Sequence, residues 1–372
     1  MDPRGQFCRH PDCWAYGRQG EGHVVIHSRA ERRYQCKRCR RTFTETAGTA
    51  LYRLRTARDQ VVVVVTLLAY GCPVQAIVAA FGLDERTVAR WQARAGSQCR
   101  RVHEHLVQAG QVELGQVQAD EVRVRAVGGV LWLASAIAVP SRLWLGGVVS
   151  ATRDGALIRA LLERVRACGP VRAVLLCTDG LASYPSQALR LFRTAERTGR
   201  RGRPRLALPD GLLIAQAIKR YTRRRVASVE HRVVRGTLGA VTAALARTQG
   251  SLTAVINTAY IERLNATFRA RLASLTRRTR AGVHRRDTLE AGMWLVGAVY
   301  NLCRPHRSLR QPQPADPRPT RRWIERTPAQ AADLTDHPWS IHELLVFPVP
   351  GVAIKRRGRR PKWLRDAARH TA

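Results

Sequence analysis

Three short segments, each with a carboxylate, constrain what this chain can fold into more than any other feature of its sequence. They are residues 117–121, 175–180 and 260–265. The first two are typical of strands that end in an acid, and the third opens a helix with one. Acids at strand ends and at a helix start are what a folded two-metal site requires. Mg²⁺ takes oxygen ligands, and two such ions can stabilise phosphoryl transfer.

The residues alone do not fix which acid of the first segment takes part. Asp120 and Glu121 are adjacent, so on a strand they point to opposite faces and only one of them can join a metal cluster. Asp179 follows an apolar strand and precedes a glycine, and Glu262 begins the helix. Each acid alone has a plainer interpretation, such as a turn cap or a surface ion pair. The ordered set on the expected elements favours a metal site.

From residue 112 onward the pattern predicts a mixed-sheet domain around these acids, extending to residue 304. Its predicted strands are 117–124, 130–139, 142–149, 171–177, 212–221 and 225–235. Its predicted helices are 154–167, 237–247, 262–278 and 287–302. Three antiparallel strands, a helix and a further strand are the opening order of a ribonuclease-H-like domain. The stretch 190–235 is interpreted as a basic insertion.

Two close cysteine pairs near the start of the chain predict a small zinc ribbon over residues 1–50. Four residues separate Cys8 from Cys13, and two separate Cys36 from Cys39. This spacing is typical of a tetrahedral Cys₄ zinc site. A fifty-residue segment with few large apolar side chains needs such a staple. The predicted role is structural, because four thiolates leave no open position for a substrate. His10 in place of Cys8 is the alternative ligand.

Residues 57–107 are predicted to form a helix–turn–helix DNA-binding domain. Gly82 lies where a tight turn needs a positive φ, and Asp84 can cap the next helix. Residues 85–94 are then the predicted recognition helix. Its exposed face would carry three arginines that can contact phosphates or guanine edges: Arg86, Arg90 and Arg94. An ordinary helical hairpin is the alternative interpretation.

A second group of predicted DNA contacts accompanies Glu262 on its helix. Asn265 and Arg269 follow Glu262 by three and seven residues, which places them along the same helix face. Arg263 extends the basic surface, and no acid follows it before residue 286. These side chains would line the groove that leads to the acids and hold phosphates there.

The charge balance limits the class of partner. The chain has 64 Lys and Arg against 27 Asp and Glu, and its four lysines are at positions 37, 219, 355 and 362. With a net charge of +37 it should bind polyphosphates with an affinity that falls steeply with salt. Ribosomes or anionic membranes would fit the charge equally well.

The sequence also predicts where the protein acts. Its longest apolar run, residues 61–70, is far short of the ~20 residues of a membrane helix, and no signal peptide is visible. We therefore expect a cytoplasmic, nucleoid-associated protein with reduced cysteines. Recurring prolines predict that residues 305–372 form an extended Pro-rich linker and a basic tail at 355–362. The loop at 201–204 and this tail are candidates for minor-groove contact, with solvated charge as the alternative.

Six segments together form a pattern known from mobile DNA. They are CRHPDC…YQCKRCRRTF, GLDERTVARW, QADEV…LWLA, CTDG…Y, YIERLNATFRARLASLTRRTR and YNLCRPHRSLR. They resemble bacterial insertion-sequence transposases of the insertion-sequence-one-like type, over about residues 6–350. The resemblance implies a zinc ribbon and a helix–turn–helix joined to an Asp–Asp–Glu catalytic domain. The fold class expected is thus a multidomain α+β or α/β chain.

The resemblance also implies roles for particular residues. Asp120, Asp179 and Glu262 would bind catalytic Mg²⁺ (or Mn²⁺), which selects Asp120 over Glu121. The expected substrates are double-stranded element ends and target DNA, cleaved and joined by a homo-oligomer of at least two copies. Relatives often place a Ser-rich stretch with a lysine after the Glu helix. Residues 281–286 read AGVHRR instead, and His284 or Arg285 would have to substitute as a phosphate contact.

Two other functions fit the residues. One is a DNA-binding regulator descended from a silenced transposase, which would use residues 1–110 alone. The other is a structure-selective nuclease of the same fold, which would cleave DNA but never join strands.

Overall fold

The structure, a computed structural model, describes residues 1–196, 205–223, 225–249, 255–276, 282–313 and 323–351. Its strands are β1 (Val24–Ser28), β2 (Arg33–Cys36), β3 (Thr42–Thr44), β4 (Gln116–Ala126), β5 (Gly129–Ala138), β6 (Leu143–Ser150), β7 (Leu175–Thr178), β8 (Thr194–Glu196), β9 (Arg205–Ala207), β10 (Leu213–Thr222), β11 (Arg225–Arg235), β12 (His306–Pro312) and β13 (Trp323–Arg326). Its helices are α1 (Arg58–Ala69), α2 (Val74–Phe81), α3 (Glu85–Leu106), α4 (Gly155–Cys168), α5 (Ser183–Leu191), α6 (Leu238–Gln249), α7 (Ala259–Arg271), α8 (Arg286–Leu302), α9 (Pro328–Ala331) and α10 (Ile341–Val346). The predicted mixture of helices and sheet is confirmed. The predicted basic loop at 201–204 and tail at 355–362 lie outside the described residues.

The chain divides into two compact units: Met1–Leu54 with the chain from Pro348 onward, and Arg55–Phe347. The first unit contains an antiparallel sheet in the order β1-β2-β3. Its small core consists of Val24, Tyr34, Phe43 and Ala47. So few apolar side chains give little burial free energy, as the prediction of a metal staple requires.

The second unit opens with helices α1 to α3. Helix α2 ends at Gly82, whose φ is 60°, and Asp84 caps α3 by accepting hydrogen bonds from the backbone N–H groups of Arg86 and Thr87. The predicted turn and cap are therefore confirmed. Helix α3 continues to Leu106, far beyond the predicted end at residue 94.

Helix α3 extends beyond its predicted end because its second half packs on α8. At Gly96 an added Cβ would lie 2.4 Å from the Ala291 carbonyl oxygen, so the two helices touch through their backbones. Val102 and His103 are buried on the same helix. The predicted helical domain 57–107 and sheet domain 112–304 thus belong to one compact unit.

A six-stranded mixed sheet is the centre of this unit, in the order β11-β10-β7-β4-β5-β6. Strands β4, β5 and β6 form an antiparallel meander, β7 is parallel to both β4 and β10, and β11 is antiparallel to β10. Because β10 and β11 extend the sheet, the predicted basic insertion at 190–235 is largely part of the sheet itself. Asp120 and Asp179 each lie two residues beyond the paired Gln118 and Cys177 on neighbouring parallel strands.

Helices cover both faces of the sheet and separate the two adjacent acids of β4. Gln116 bonds to Thr248 of α6, and Gln118 accepts from the backbone N–H groups of Tyr260 and Ile261 in α7. Glu121 points to the opposite face, where it meets α5. The alternation expected of a strand therefore places Asp120 under α7 and Glu121 under α5.

Two predictions for the second half of the chain are wrong. Helix α7 ends at Arg271 rather than near residue 278, because Leu272 is extended and buried, and the chain turns there. The expected Pro-rich linker is structured over 306–312 and 323–346, where Leu344 and Leu345 are fully buried. Pro328 starts an element and does not exclude one, because it opens α9 directly after the capping residue Thr327.

None of the helices in the described part of the chain combines the length and the apolar character needed to cross a membrane.

Candidate functional site

The four predicted cysteines converge. Cys8 Sγ lies 3.7 Å from Cys39 Sγ, Cys13 Sγ lies 3.9 Å from Cys36 Sγ, and all four sulfur atoms lie within 4.8 Å of one another. A tetrahedral ion with Zn–S bonds of about 2.3 Å has its sulfur atoms about 3.8 Å apart. The cluster therefore fits a metal ion such as zinc, and His10 is not one of its members.

A tight backbone turn around Cys36 and Cys39 helps to form this cluster. After the second pair, Arg40 adopts a positive φ of 57°, and its N–H returns to the Cys36 carbonyl oxygen. Burial raises the pKa of the Cys8 thiol, while burial also lowers the pKa of the neighbouring Arg9 to about 10. The Arg9 side chain is nevertheless kept inside, over the Phe7 ring at 3.7 Å. A buried cation beside thiols favours the thiolate form that binds metal.

Asp120, the predicted ligand on β4, is mostly buried beneath α7. Its Oδ2 accepts a hydrogen bond of 2.8 Å from the Asn265 side-chain amide. Burial, and then the charges of Glu121 and Asp179, raise the pKa of Asp120 to about 6. Crowded acids of this kind disfavour a second negative charge unless a cation is near.

Glu121 has a different environment on the other face of the sheet. Its side chain is completely buried, forms an ion pair with Arg153, and accepts a 2.8 Å hydrogen bond from the Tyr184 hydroxyl. Burial and the Glu121 charge raise the pKa of Tyr184 well above its usual range. Arg153 and Tyr184 therefore contact Glu121 on this face, whereas Asp120 faces α7 on the other.

Asp179 follows β7 and lies at the same level as Asp120. Its Oδ1 accepts from the Leu181 backbone N–H at 3.0 Å, and its Oδ2 lies 3.6 Å from Arg153. The side-chain amide of Gln216 on β10 donates to the Asp179 carbonyl oxygen at 2.8 Å. Asp179 is thus both a turn cap and a partly exposed carboxylate, about 38 % accessible, at the strand end.

Glu262 occupies the first turn of α7. Its Oε1 accepts a 2.7 Å hydrogen bond from Thr258 and is ion-paired with Lys219 of β10. These bonds lower the pKa of Glu262, although its partial burial opposes them. Asn265, the partner of Asp120, lies one turn further along the same helix. Glu262 therefore shares a helix edge with the residue that touches Asp120.

Asp120 and Asp179 are neighbours, but the three predicted acids do not form a closed ligand set. In the described part of the chain, the cysteine cluster alone brings three or more His, Cys, Asp or Glu ligand atoms within 4.8 Å. Instead, Asp179 is ion-paired with Arg153 and Glu262 with Lys219, and Asp120 accepts a hydrogen bond from the Asn265 side-chain amide. The predicted Mg²⁺ site remains a prediction.

The arginines predicted on the recognition helix differ in exposure. Arg86 and Arg90 are exposed, whereas Arg94 is partly buried, and burial followed by the charge of Arg90 lowers the pKa of Arg94. Arg86 and Arg90 line a groove of about 540 Å³ between α3 and the start of α8, together with Arg100 and Arg285. The expectation that all three arginines lie on an open face is wrong for Arg94.

The DNA contacts predicted on α7 also differ. Arg263 is exposed and Arg269 partly so, but Asn265 is buried against Asp120. Asn265 is therefore positioned to orient an acid rather than to contact a phosphate.

Sequence reasoning missed Arg153 and Lys219. Lys219 had a signal, because it is one of four lysines in a chain that otherwise uses arginine. Arg153 had none, since its partner Glu121 is thirty-two residues away.

Neither the family models nor the curated proteins compared with this chain give a match.

Proposed function

We propose that this protein is a DNA transposase, which cleaves the ends of an insertion sequence and joins them to target DNA by metal-dependent phosphoryl transfer. The single observation that carries the proposal is the arrangement of the acids. Asp120 and Asp179 lie level on adjacent parallel strands, and α7, which carries Glu262, lies above Asp120. The order of these acids along the chain is the one that the resemblance implies.

The sheet supports a ribonuclease-H-like fold. Its antiparallel meander β6-β5-β4 continues into β7 and β10, which run parallel to β4. Asp120 lies within β4, two residues beyond the last paired position of β4 and β7, and Asp179 directly follows β7. Ligands commonly bind where parallel strands end.

The donor set suits hard divalent cations. Three carboxylates offer oxygen atoms, and burial, followed by the charges of Glu121 and Asp179, raises the pKa of Asp120, so that a bound cation would favour its ionised form. Mg²⁺ or Mn²⁺ held by Asp120, Asp179 and Glu262 would polarise the phosphodiester and lower the pKa of an attacking water. Asn265 would fix the Asp120 carboxylate for that role. The contacts of Glu121 with Arg153 and Tyr184, on the face of the sheet opposite to Asp120, would keep β4 in register.

Nucleophilic catalysis by a side chain is not favoured by this geometry. Two hydroxyls near Asp179 in the chain are buried and already donate hydrogen bonds, Thr178 to the Asp179 carbonyl oxygen and Tyr184 to Glu121. Water and then a DNA 3′-OH are therefore the proposed nucleophiles. The exposed arginines, among them Arg86, Arg90 and Arg263, would neutralise backbone phosphates on both sides of the reacting one.

A non-catalytic DNA-binding regulator is the second candidate, and one observation favours it. Asp179 and Glu262 are each ion-paired with a basic side chain, as they would be in a chain that never binds a cation. The basic groove beside α3 would serve such a regulator equally well.

The genomic DNA around the gene provides the substrate for a test. Short inverted repeats that bracket it would be built into a labelled duplex and incubated with the protein and Mg²⁺. We expect nicking at the repeat end, a 3′-OH product, and joining to added target DNA. Asp179→Asn should bind the duplex but not cut it, whereas Asp210→Asn, in an exposed turn, should cut like the unmodified protein.

A regulator would bind the duplex and cut it in no variant. A nuclease of the same fold would cut the duplex without joining strands. Either result would reject the transposase.

A further inference from the structure

A second basic pocket lies beside α7, apart from the acids. The turn between β5 and β6, helix α7, the end of α8 and the start of β12 form its walls, and its volume is about 480 Å³. Four arginines and one histidine line it: Arg142, Arg263, Arg304, Arg307 and His306. None of the described residues that line it is an acid.

The arginines of this pocket are not neutralised nearby. In the described part of the chain, none of the four forms an ion pair with a carboxylate. Burial lowers the pKa of Arg142, and Arg263 contributes in the same direction. Positive charges that repel one another in a partly buried space attract an anion, because the anion reduces their repulsion.

The backbone of Arg142 adopts an unfavourable conformation. Its φ is 59°, a left-handed conformation that a residue with a Cβ seldom adopts. Its guanidinium stacks over the Tyr260 ring at 3.9 Å and donates to the Val139 carbonyl oxygen. A strained backbone that presents an oriented cation to a pocket is typical of a functional position.

His306 adds an unused hydrogen-bonding atom. Its Nε2 is buried and has no hydrogen-bond partner, and its ring meets the Tyr300 ring edge-on at 4.5 Å. Burial and the nearby Arg304 lower the pKa of His306 to about 4, so the ring is neutral at pH 7. A buried ring nitrogen without a partner is an unused hydrogen-bonding position in this pocket, and it would donate to a phosphate oxygen when anion binding protonates the ring.

Helix α7 links this pocket to the acids. Tyr260 and Arg263 line the pocket, and Glu262 between them belongs to the acidic site. These residues lie within one turn of the helix, with Glu262 directed to β10 and the pocket on the side of β5 and α8. A DNA strand that crosses α7 would therefore bring one phosphate to the acids and another to the pocket.

We propose that this pocket binds a phosphate group of the DNA strand that reacts at the acids; its place in the reaction rests on the proposed function, but binding itself does not. Arginine forks suit phosphate oxygens, and the volume accommodates one nucleotide. The segment YNLCRPHRSLR supplies six of the lining residues, among them Tyr300, Arg304, His306 and Arg307, and so acquires a role in holding DNA. The phosphate can be a terminal 5′-phosphate or an internal phosphodiester.

The test measures binding of 3′-labelled octathymidylate by fluorescence anisotropy, with the zinc-loaded full chain and no added Mg²⁺. The pocket variant is Arg304→Gln with Arg307→Gln, both exposed side chains. The matched control is Arg172→Gln with Arg190→Gln, also exposed and outside the pocket. We expect the pocket variant to bind about tenfold more weakly and its salt slope to fall by about 1, while the control changes less than about twofold.

Octathymidylate with and without a 5′-phosphate distinguishes the two possible sources of the phosphate. If a 5′-phosphate strengthens binding to the unmodified protein and not to the pocket variant, a terminal phosphate is the ligand. If both forms lose affinity equally in the pocket variant, an internal phosphodiester is the ligand. Equal losses in the pocket and control variants would overturn the proposal, because charge alone would then explain binding.

A second readout follows the pocket directly. In protein labelled with ¹⁵N-histidine, the His306 signals are assigned by their absence in His306→Gln. Octathymidylate should shift the His306 Nε2 resonance in the unmodified protein and in Asp179→Asn alike. An unchanged resonance at saturation would overturn the pocket. A shifted resonance with no cleavage activity would reject the transposase and leave the pocket intact.

Discussion

The cysteine cluster and the proposed acidic site differ in how their candidate ligand atoms are arranged. The four sulfur atoms lie within 4.8 Å of one another. Asp120, Asp179 and Glu262 do not converge in this way, and each contacts a side chain of its own: Asn265, Arg153 and Lys219, respectively. The fold therefore brings the four cysteines close enough to bind a metal ion. In the proposed acidic site, metal ions would have to displace Arg153 and Lys219 from Asp179 and Glu262.

Removing metal from the cysteine cluster should have the largest effect. Structural zinc contributes an apparent ~10–16 kcal/mol of binding free energy, and this segment has a small core. We expect a chelator to release one zinc ion per chain and to abolish hydrogen-exchange protection of β1 to β3. A colorimetric zinc assay with exchange mass spectrometry measures both.

Cysteine variants provide the control for this experiment. Cys36→Ser should lose zinc, and Cys72→Ser, which lies outside the cluster, should retain it. Retained protection of β1 to β3 after complete zinc loss would contradict the structural role.

Substitution of the two adjacent acids on β4 should separate chemistry from stability. Asp120→Asn is expected to lower the rate of DNA cleavage about 10³-fold, roughly 4 kcal/mol, because a ligand of the proposed cations is lost. Glu121→Gln is expected to lower the free energy of unfolding by about 2–3 kcal/mol, since Arg153 and Tyr184 lose a buried charged partner. Cleavage rates and urea unfolding measure the two effects. A stable Glu121→Gln protein without activity, beside an active Asp120→Asn protein, would reverse the assignment.

The pH dependence of stability should report the crowding of the acids. The pKa of Asp120 is raised from 3.8 to about 6 in the folded chain. Its protonated form therefore stabilises the fold, and that stability is full below pH 4 and lost as the pH rises through 6. Above pH 6 the loss is up to about 3 kcal/mol, which Asp120→Asn should avoid. Urea unfolding of metal-free protein at pH 4.5 and 7.5 tests this, and an equal gap between the two proteins at both values would count against it.

The Lys219–Glu262 ion pair should give the smallest effect. Both side chains are partly exposed, and such pairs contribute about 0.2–1 kcal/mol. Lys219→Gln removes a competitor for Glu262, so the Mn²⁺ concentration for half-maximal cleavage should fall by about twofold to fivefold. Lys219→Arg keeps the charge and should leave that concentration unchanged. A higher Mn²⁺ requirement in Lys219→Gln would mean that Lys219 supports the site rather than competing for it.

Local signals in the sequence carried most of the correct predictions. The short spacing of the cysteine pairs predicted the cluster, and Gly82 with Asp84 predicted the turn before α3, because each depends on residues within a few positions. The strands of the sheet were recognisable from their apolar runs. Asp179 follows its strand as predicted, whereas the strand predicted to end at Asp120 continues to Ala126.

Long-range pairing accounts for what could not be predicted. The partner of Glu121 lies on the loop before α4, and the partner of Glu262 lies on β10, so neither ion pair has a local pattern. The length of α3 depends on packing against α8, two hundred residues away in sequence. Recurrent prolines suggested a linker beyond residue 304, but proline at the start of an element is compatible with a packed structure.

The most direct test of the account replaces Mg²⁺ with Fe²⁺ and lets bound iron cut the backbone beside it. With ascorbate and peroxide, we expect fragments that end near residues 120, 179 and 262, which excess Mg²⁺ suppresses and Asp179→Asn abolishes. Such fragments would mean that these three acids share a cation site. Iron cuts that avoid all three positions, or that persist unchanged in Asp179→Asn, would contradict the account.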